Sequence, residues 1–245
     1  MSGSQGAGVR STRKVPAWMT AYAVWAAVLT VAVLGCKSNH GGQTATESAV
    51  ASTPTARVLP PPVEQAEALA EDAQTDIDQN AWPAAEAKFR ELKVVGESLA
   101  SVGVAETRRS AYGNALDSLG AAIARRSQAG ALTAGNRVSR VVAGIMADYP
   151  TKVPVDVTLM DVAGRDALYA AQQGRWGDAA KATAELGRSY TAVQVHVRAR
   201  APGLDRRVTA EVVRLQRAVA SRRRDRAASL SQALLEDVDR IEQTF

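Results

Sequence analysis

The sequence is poor in the residues that several classes of protein require. Its 245 residues include one cysteine, two histidines and 4% aromatic side chains. It therefore lacks the residues for a disulfide scaffold or a zinc site built from cysteines. It also has no HExxH, CxxC, Glu-x-x-His or Gly-x-Ser-x-Gly motif, so metal-dependent and serine hydrolases have no recognisable signature here. We predict no cofactor, no metal site and no enzymatic activity.

The net charge of +5 comes mostly from the amino terminus. Arg10, Arg13 and Lys14 precede the first acidic residue, and residues 36–245 hold 27 basic and 25 acidic side chains, a surplus of only two. The basic stretch 206–226 has no interleaved aromatic residues on which bases could stack. We therefore expect no nucleic-acid partner.

Residues 1–14 are polar and basic, and residues 15–35 form a charge-free apolar run. This order is typical of an export signal. The run ends in Val33-Leu34-Gly35-Cys36, and at these residues the chain resembles bacterial lipoprotein precursors. The resemblance implies that residues 1–35 are a signal peptide, that cleavage follows Gly35, and that Cys36 carries a diacylglycerol thioether that anchors the protein in a membrane.

A second interpretation of the same segment stays open. About 21 uncharged residues are also enough to cross a bilayer as a helix, so residues 15–35 could be an uncleaved signal anchor with a free thiol at Cys36. Both interpretations place the rest of the chain outside the cytoplasm, because the positive flank stays inside. We expect a protein of the bacterial cell envelope, held at a membrane by a lipid or an apolar helix.

Residues 36–62 are rich in Ser, Thr, Ala, Gly and Pro and end in Pro60-Pro61-Pro62. They cannot bury enough apolar surface to offset the entropy of ordering. We predict a flexible tether, behind which the folded part begins at residue 63.

From residue 63 onward, apolar residues recur with a helical period and alanine is abundant. Trp82 and Trp176 each open such a stripe, 94 residues apart, and later apolar positions repeat at 96 residues. The pattern predicts an all-α protein of antiparallel hairpins, a duplicated four-helix unit with repeats at 63–149 and 154–245. The expected helices are 64–79, 83–100, 105–128, 131–149, 155–173, 176–199, 204–223 and 225–243.

The folded part also resembles uncharacterised helical-bundle lipoproteins. The features that carry this resemblance are a tryptophan after a tight turn and the ending Leu234-Leu235-Glu236-Asp237-Val238-Asp239-Arg240-Ile241-Glu242. The resemblance implies a helical bundle and no particular activity.

Few residues are candidates for a binding site. Haem would need His196 and a methionine such as Met160, but these residues lie ~12 Å apart along their predicted hairpin. His40 falls in the tether. The first helix carries unpartnered carboxylates that could attract a cation, although a solvated face is the simpler interpretation; they are Glu64, Glu67, Glu71, Asp72, Asp76 and Asp78. Asp161 and Arg165 have the spacing of a surface ion pair.

An arginine-rich stripe is the most distinctive polar feature. Its members are Arg206, Arg207, Arg214, Arg217, Arg222, Arg223, Arg224 and Arg226. It could contact anionic lipid headgroups or an acidic partner, but we expect it to complement the acidic first helix or simply to keep the duplicated bundle soluble. The predicted function is a binding or scaffold module with a protein partner in the cell envelope. The alternative is a bundle that binds a small ligand, haem or a cation.

Overall fold

The computed structural model describes residues 58–245, and these residues form an all-helical structure. Residues 1–57, which hold the predicted signal peptide, Cys36 and most of the tether, lie outside the described part. The prediction of an all-α fold built from helical hairpins is confirmed. The helices of the described part are α1 (Pro61–Asp78), α2 (Trp82–Ser98), α3 (Glu106–Ala124), α4 (Gln128–Met146), α5 (Val155–Gln172), α6 (Trp176–Arg200), α7 (Pro202–Ala220) and α8 (Arg224–Glu242).

Proline marks the first turn of three helices. Pro61, Pro83 and Pro202 lie at the first or second position of α1, α2 and α7. Proline is favoured there because its fixed φ suits a helix and its missing N–H would have no intrahelical partner. Pro61 and Pro62, which the composition of the sequence places in the tether, instead begin the first turn of α1.

Short turns close the hairpins with left-handed residues. Asn80 (φ 57°) and Gly174 (φ 70°) stand before the two tryptophans, as the sequence predicts. Arg126 (φ 48°) is the left-handed residue of the turn between α3 and α4, and Arg222 (φ 53°) is that of the turn between α7 and α8. No glycine or proline marks these two turns, and the predicted helices therefore run about three residues too far.

The helices form two four-helix bundles, each with its own core. Within each bundle every helix contacts its neighbours in chain order, and the fourth helix returns to the first. Trp82 and Phe89 pack against the core of α1–α4, and Trp176 packs against the core of α5–α8. The bundles meet where α4 packs against α5. Corresponding helices begin 94, 94, 96 and 96 residues apart, so the repeat in sequence is a repeat in backbone.

All four short turns lie at the same end of the two bundles. Gln128 donates to the carbonyl oxygens of Ile77 and Asp78, and Gln173 donates to Thr133 Oγ1 at 3.2 Å. These bonds join the beginning of α4 to the ends of α1 and α5. The chain enters α1 at the opposite end. Between residues 58 and 245, no helix combines the length and the apolar character needed to cross a bilayer.

Candidate functional site

A polar network fastens the two bundles to each other. Asn136 Nδ2 of α4 donates to the carbonyl oxygen of Val162 at 2.8 Å and to Asp166 Oδ1 at 2.7 Å, both in α5. Arg140 of α4 donates to Asp166 Oδ2 at 2.8 Å and pairs with Glu185 of α6. Apart from Asn136 Oδ1, which is buried without a hydrogen-bond partner, the polar groups of this network are paired across the junction, so the network holds the two bundles together.

An acidic cluster lies beside the junction of α1, α5 and α8. Its carboxylates are Glu67, Glu71, Asp161, Asp239 and Glu242, and Arg165 is the cation among them. Arg165 Nη2 lies 3.0 Å from Asp161 Oδ2, and the two side chains are only 22% and 13% exposed. The predicted surface ion pair is therefore a largely buried one.

Burial controls the protonation of this cluster. It raises the pKa of Glu71 to about 7, an effect that the charges of Asp161, Glu67 and Glu242 increase and that of Arg165 opposes. Burial also raises the pKa of Asp161, against the attraction of Arg165. The carboxylates of α1 are therefore divided: Glu64, Asp72 and Asp78 are exposed, as a solvated face predicts, whereas Glu67, Glu71 and Asp76 are partly buried.

The sequence contains a signal for this cluster that composition does not reveal. Glu67 and Glu71 are related by the 94-residue repeat to Asp161 and Arg165. Both pairs have the four-residue spacing that places side chains on one helix face. The charges of Glu67, Asp161 and Arg165 all act on the pKa of Glu71. The equivalent faces of α1 and α5 therefore lie close to each other.

The arginine face is the largest unpaired group of charges in the described part. We use this name for the exposed arginines of α7, of the turn after it and of the first turn of α8 that make no ion pair within residues 58–245: Arg206, Arg214, Arg217, Arg222, Arg223, Arg224 and Arg226. Arg206, Arg214 and Arg217 border an open groove of about 450 Å³ between α6 and α7. Arg214, Arg217, Arg223 and Arg226 border a smaller one of about 220 Å³ at the end of α7.

Arg207, the remaining member of the predicted stripe, has an internal partner. It forms a two-pronged ion pair with Asp237 of α8, both distances being 2.7 Å, and Arg240 adds a third contact at 2.5 Å. The expectation that the stripe complements α1 is therefore wrong for the described residues: Arg207 pairs within its own bundle, and Lys88 of α2 is the residue that pairs with Asp72 of α1.

Tyr190 and Asp205 form a second buried polar group beside the arginine face. Tyr190 Oη donates to Asp205 Oδ1 at 2.7 Å, and Gln194 and Arg198 donate to the same carboxylate. These hydrogen bonds lower the pKa of Asp205 to about 2, and the bond from Tyr190 has the largest effect. The carboxylate stays ionised and held, so it is suited to fixing α6 against α7 and unsuited to proton transfer.

His196 and Met160 are used within the fold. The His196 ring stacks on Phe245, with ring centres 3.8 Å apart and planes 8° apart, and its Nε2 lies 2.9 Å from the carbonyl oxygen of Thr244. Met160 is buried in the core of the second bundle. His196 therefore fastens the carboxyl terminus to α6.

Within the described residues no three His, Cys, Asp or Glu side chains are grouped so that they could hold a metal ion. Cys36 and His40 lie outside that part of the chain. Comparison of the chain with protein-family models, with curated proteins and with solved structures gives no match.

Proposed function

We propose that the protein is a lipid-anchored, extracytoplasmic helical module of the bacterial cell envelope that acts by binding. The observation that carries the proposal is the sequence Val33-Leu34-Gly35-Cys36 at the end of a charge-free segment that follows a basic one. Two acyl chains on Cys36 would give a lasting anchor, because each buried CH₂ contributes ~0.8 kcal/mol.

The chemistry of the folded part is consistent with binding. Its buried carboxylates Asp205 and Asp237 are held by arginines and a tyrosine, and His196 is engaged by the carboxyl terminus. Several exposed arginines without an ion pair in the described residues line open grooves on the outside of α6, α7 and α8. Such surfaces suit contact with a large partner better than they suit enclosure of a small substrate.

The test is the intact mass of the protein extracted from membranes of a bacterial host, for the natural chain and for Cys36→Ser. We expect a natural chain that begins at Cys36 and carries the mass of its acyl groups, and a Cys36→Ser chain that keeps residues 1–35. A full-length natural chain with a free thiol in the membrane fraction would support the signal anchor instead. The same species in the soluble fraction would overturn both.

A further inference from the structure

The arginine face combines positive charge with an absence of fixed partners. Its seven guanidinium groups are exposed, while the acidic residues of the same stretch are few: Asp205 is buried and paired, Glu211 is half-buried, and Asp225 is exposed. Guanidinium groups form strong, often two-pronged hydrogen bonds with phosphate oxygens. The face is therefore matched to a partner that presents many phosphates.

The same surface has little with which to anchor a protein. Interfaces between proteins usually depend on a few buried aromatic or large apolar side chains. Among the exposed large apolar residues, only Val213 lines the groove beside these arginines, and it is just 39% exposed. Attraction by charge, spread over a wide and shallow surface, is what anionic lipid headgroups provide.

The position of the face allows it to reach a membrane. The 25 residues from 36 to 60 would span up to ~80 Å when extended, whereas a helix of 19 residues such as α7 is only ~28 Å long. The turn end of the bundles could thus reach the bilayer that holds the amino terminus, although the chain enters at the other end. This step rests on the proposed anchor, whereas the attraction between charges does not.

We propose that the arginine face binds the headgroups of anionic phospholipids and lays the second bundle against the membrane surface. Each arginine would contact its own phosphate, so binding would be multivalent, insensitive to the details of lipid structure, and weakened by salt.

The test compares binding of the full chain to vesicles of pure phosphatidylcholine and to equimolar phosphatidylcholine and phosphatidylglycerol. The first variant replaces Arg217, Arg223, Arg224 and Arg226 with glutamine. A matched control replaces Arg90, Arg108, Arg125 and Arg137 of the first bundle, four exposed arginines that make no ion pair in the described residues. Both variants lose the same charge, and circular dichroism verifies that both remain folded.

We expect the natural chain to prefer the anionic vesicles at low salt. In the arginine-face variant this preference should fall at least about tenfold, because each arginine near a surface contributes about fivefold to binding. In the control it should fall less than about threefold. An equal loss in both variants, or no preference in the natural chain, overturns the proposal; in the second case an acidic protein becomes the better partner. Insertion of residues 15–35 affects both vesicle types, so the ratio is independent of the outcome for Cys36.

Discussion

The two bundles have the same arrangement of helices, but different residues fill the space between the second and third helices of each. In the first, the ring of Tyr112 on α3 occupies the space beside Gly96 on α2, and its hydroxyl donates to the carbonyl oxygen of Leu92 at 3.0 Å. In the second, the equivalent of Gly96 is Tyr190, and the equivalent of Tyr112 is Val208. A buried tyrosine thus lies between the second and third helices of both bundles, supplied by opposite helices.

The bundles also differ in charge. Residues 63–149 hold nine basic and twelve acidic side chains, a net charge of −3, whereas residues 154–245 hold fifteen and twelve, a net charge of +3. The acidic excess is concentrated on α1, whereas the basic excess is divided among α6, α7 and the turn that follows α7. The duplicated backbone has therefore kept its core pattern, while the surfaces of its halves have acquired opposite character.

The largest expected effect tests the exchange of tyrosines. Tyr112→Val introduces the residue that the second bundle has at this position and leaves a cavity where the ring was. We expect a loss of ~2–4 kcal/mol in the free energy of unfolding, measured by urea denaturation of the full chain with circular dichroism.

The double variant Gly96→Tyr with Tyr112→Val recreates the arrangement of the second bundle. It should recover about half of the loss, because the new ring fills the same space from the opposite helix. A double variant no more stable than Tyr112→Val alone would contradict the interchange. Gly96→Ala is the complementary control: with Tyr112 present, its Cβ would lie 2.9 Å from Cε1 of that ring, so this variant should be destabilised.

The second prediction concerns a group that only the second bundle has. Asp237, whose side chain is 2% exposed, binds Arg207 and Arg240, and its equivalent in the first bundle is Val141. Asp237→Asn should destabilise the protein by about 2 kcal/mol, because it weakens three charged contacts at a buried position.

Asp178→Asn provides the matched control for this change. Asp178 also pairs with an arginine, Arg175, but both side chains are at least 42% exposed. Its replacement should cost less than about 0.5 kcal/mol in the same urea measurement. Equal effects of the two variants would show that burial of Asp237 does not matter.

The third prediction uses the contrast between Glu71 and its equivalent in the second bundle, Arg165. Because the pKa of Glu71 is raised to about 7, the folded state holds its proton more tightly than the unfolded state. This contribution is complete below the ordinary value of 4.5 and is lost as the pH rises through about 7. Stability should therefore fall by ~1–3 kcal/mol between about pH 5 and about pH 8.

Glu71→Gln should remove about half of this slope and make the protein more stable at the higher pH, because burial also raises the pKa of Glu242 to about 7 and that group still titrates in the variant. The relevant neighbours, Glu67, Asp161, Glu242 and Arg165, remain unchanged in this variant. Glu64→Gln, at an exposed position of the same helix, should leave the slope as it is. An unchanged slope in Glu71→Gln would assign the effect to other groups.

Much of the fold could be predicted from the sequence, because the apolar stripes determine it. The stripe through Trp82 and its repeat through Trp176 fixed the period and number of the helices, and Asn80 or Gly174 indicated where the hairpins turn. The turns at Arg126 and Arg222 could not be predicted in this way. Arginine is a good helix former. In the structure Arg126 and Arg222 are the left-handed residues that end α3 and α7, and backbone hydrogen bonds across each turn close the helix end around them.

The polar sites were less predictable, because they depend on which helix faces meet. The arginine stripe and the acids of α1 are visible in the sequence, and their opposite signs suggested that they pair. The structure instead joins Arg207 to Asp237 and places Glu71 beside Asp161. Charge in a sequence shows what a surface can attract, whereas its partner depends on the order of helices around each bundle.

The smallest expected effect separates backbone strain from side-chain function at the equivalent turns. Arg126→Gly and Arg222→Gly each relieve a left-handed backbone but add entropy to the unfolded chain, so the net gain should be only about 0.5 kcal/mol. Arg125→Gly, next to the first turn and with an ordinary φ of −84°, should instead lose about that amount. Thermal unfolding measures all three variants, and the absence of a gain in both left-handed variants would contradict the strain.

Arg222→Gly should in addition weaken binding to anionic vesicles more than Arg126→Gly does, because only Arg222 belongs to the arginine face. A protein made more stable by losing an arginine, yet weaker at the membrane, would show that this turn is maintained for its charge.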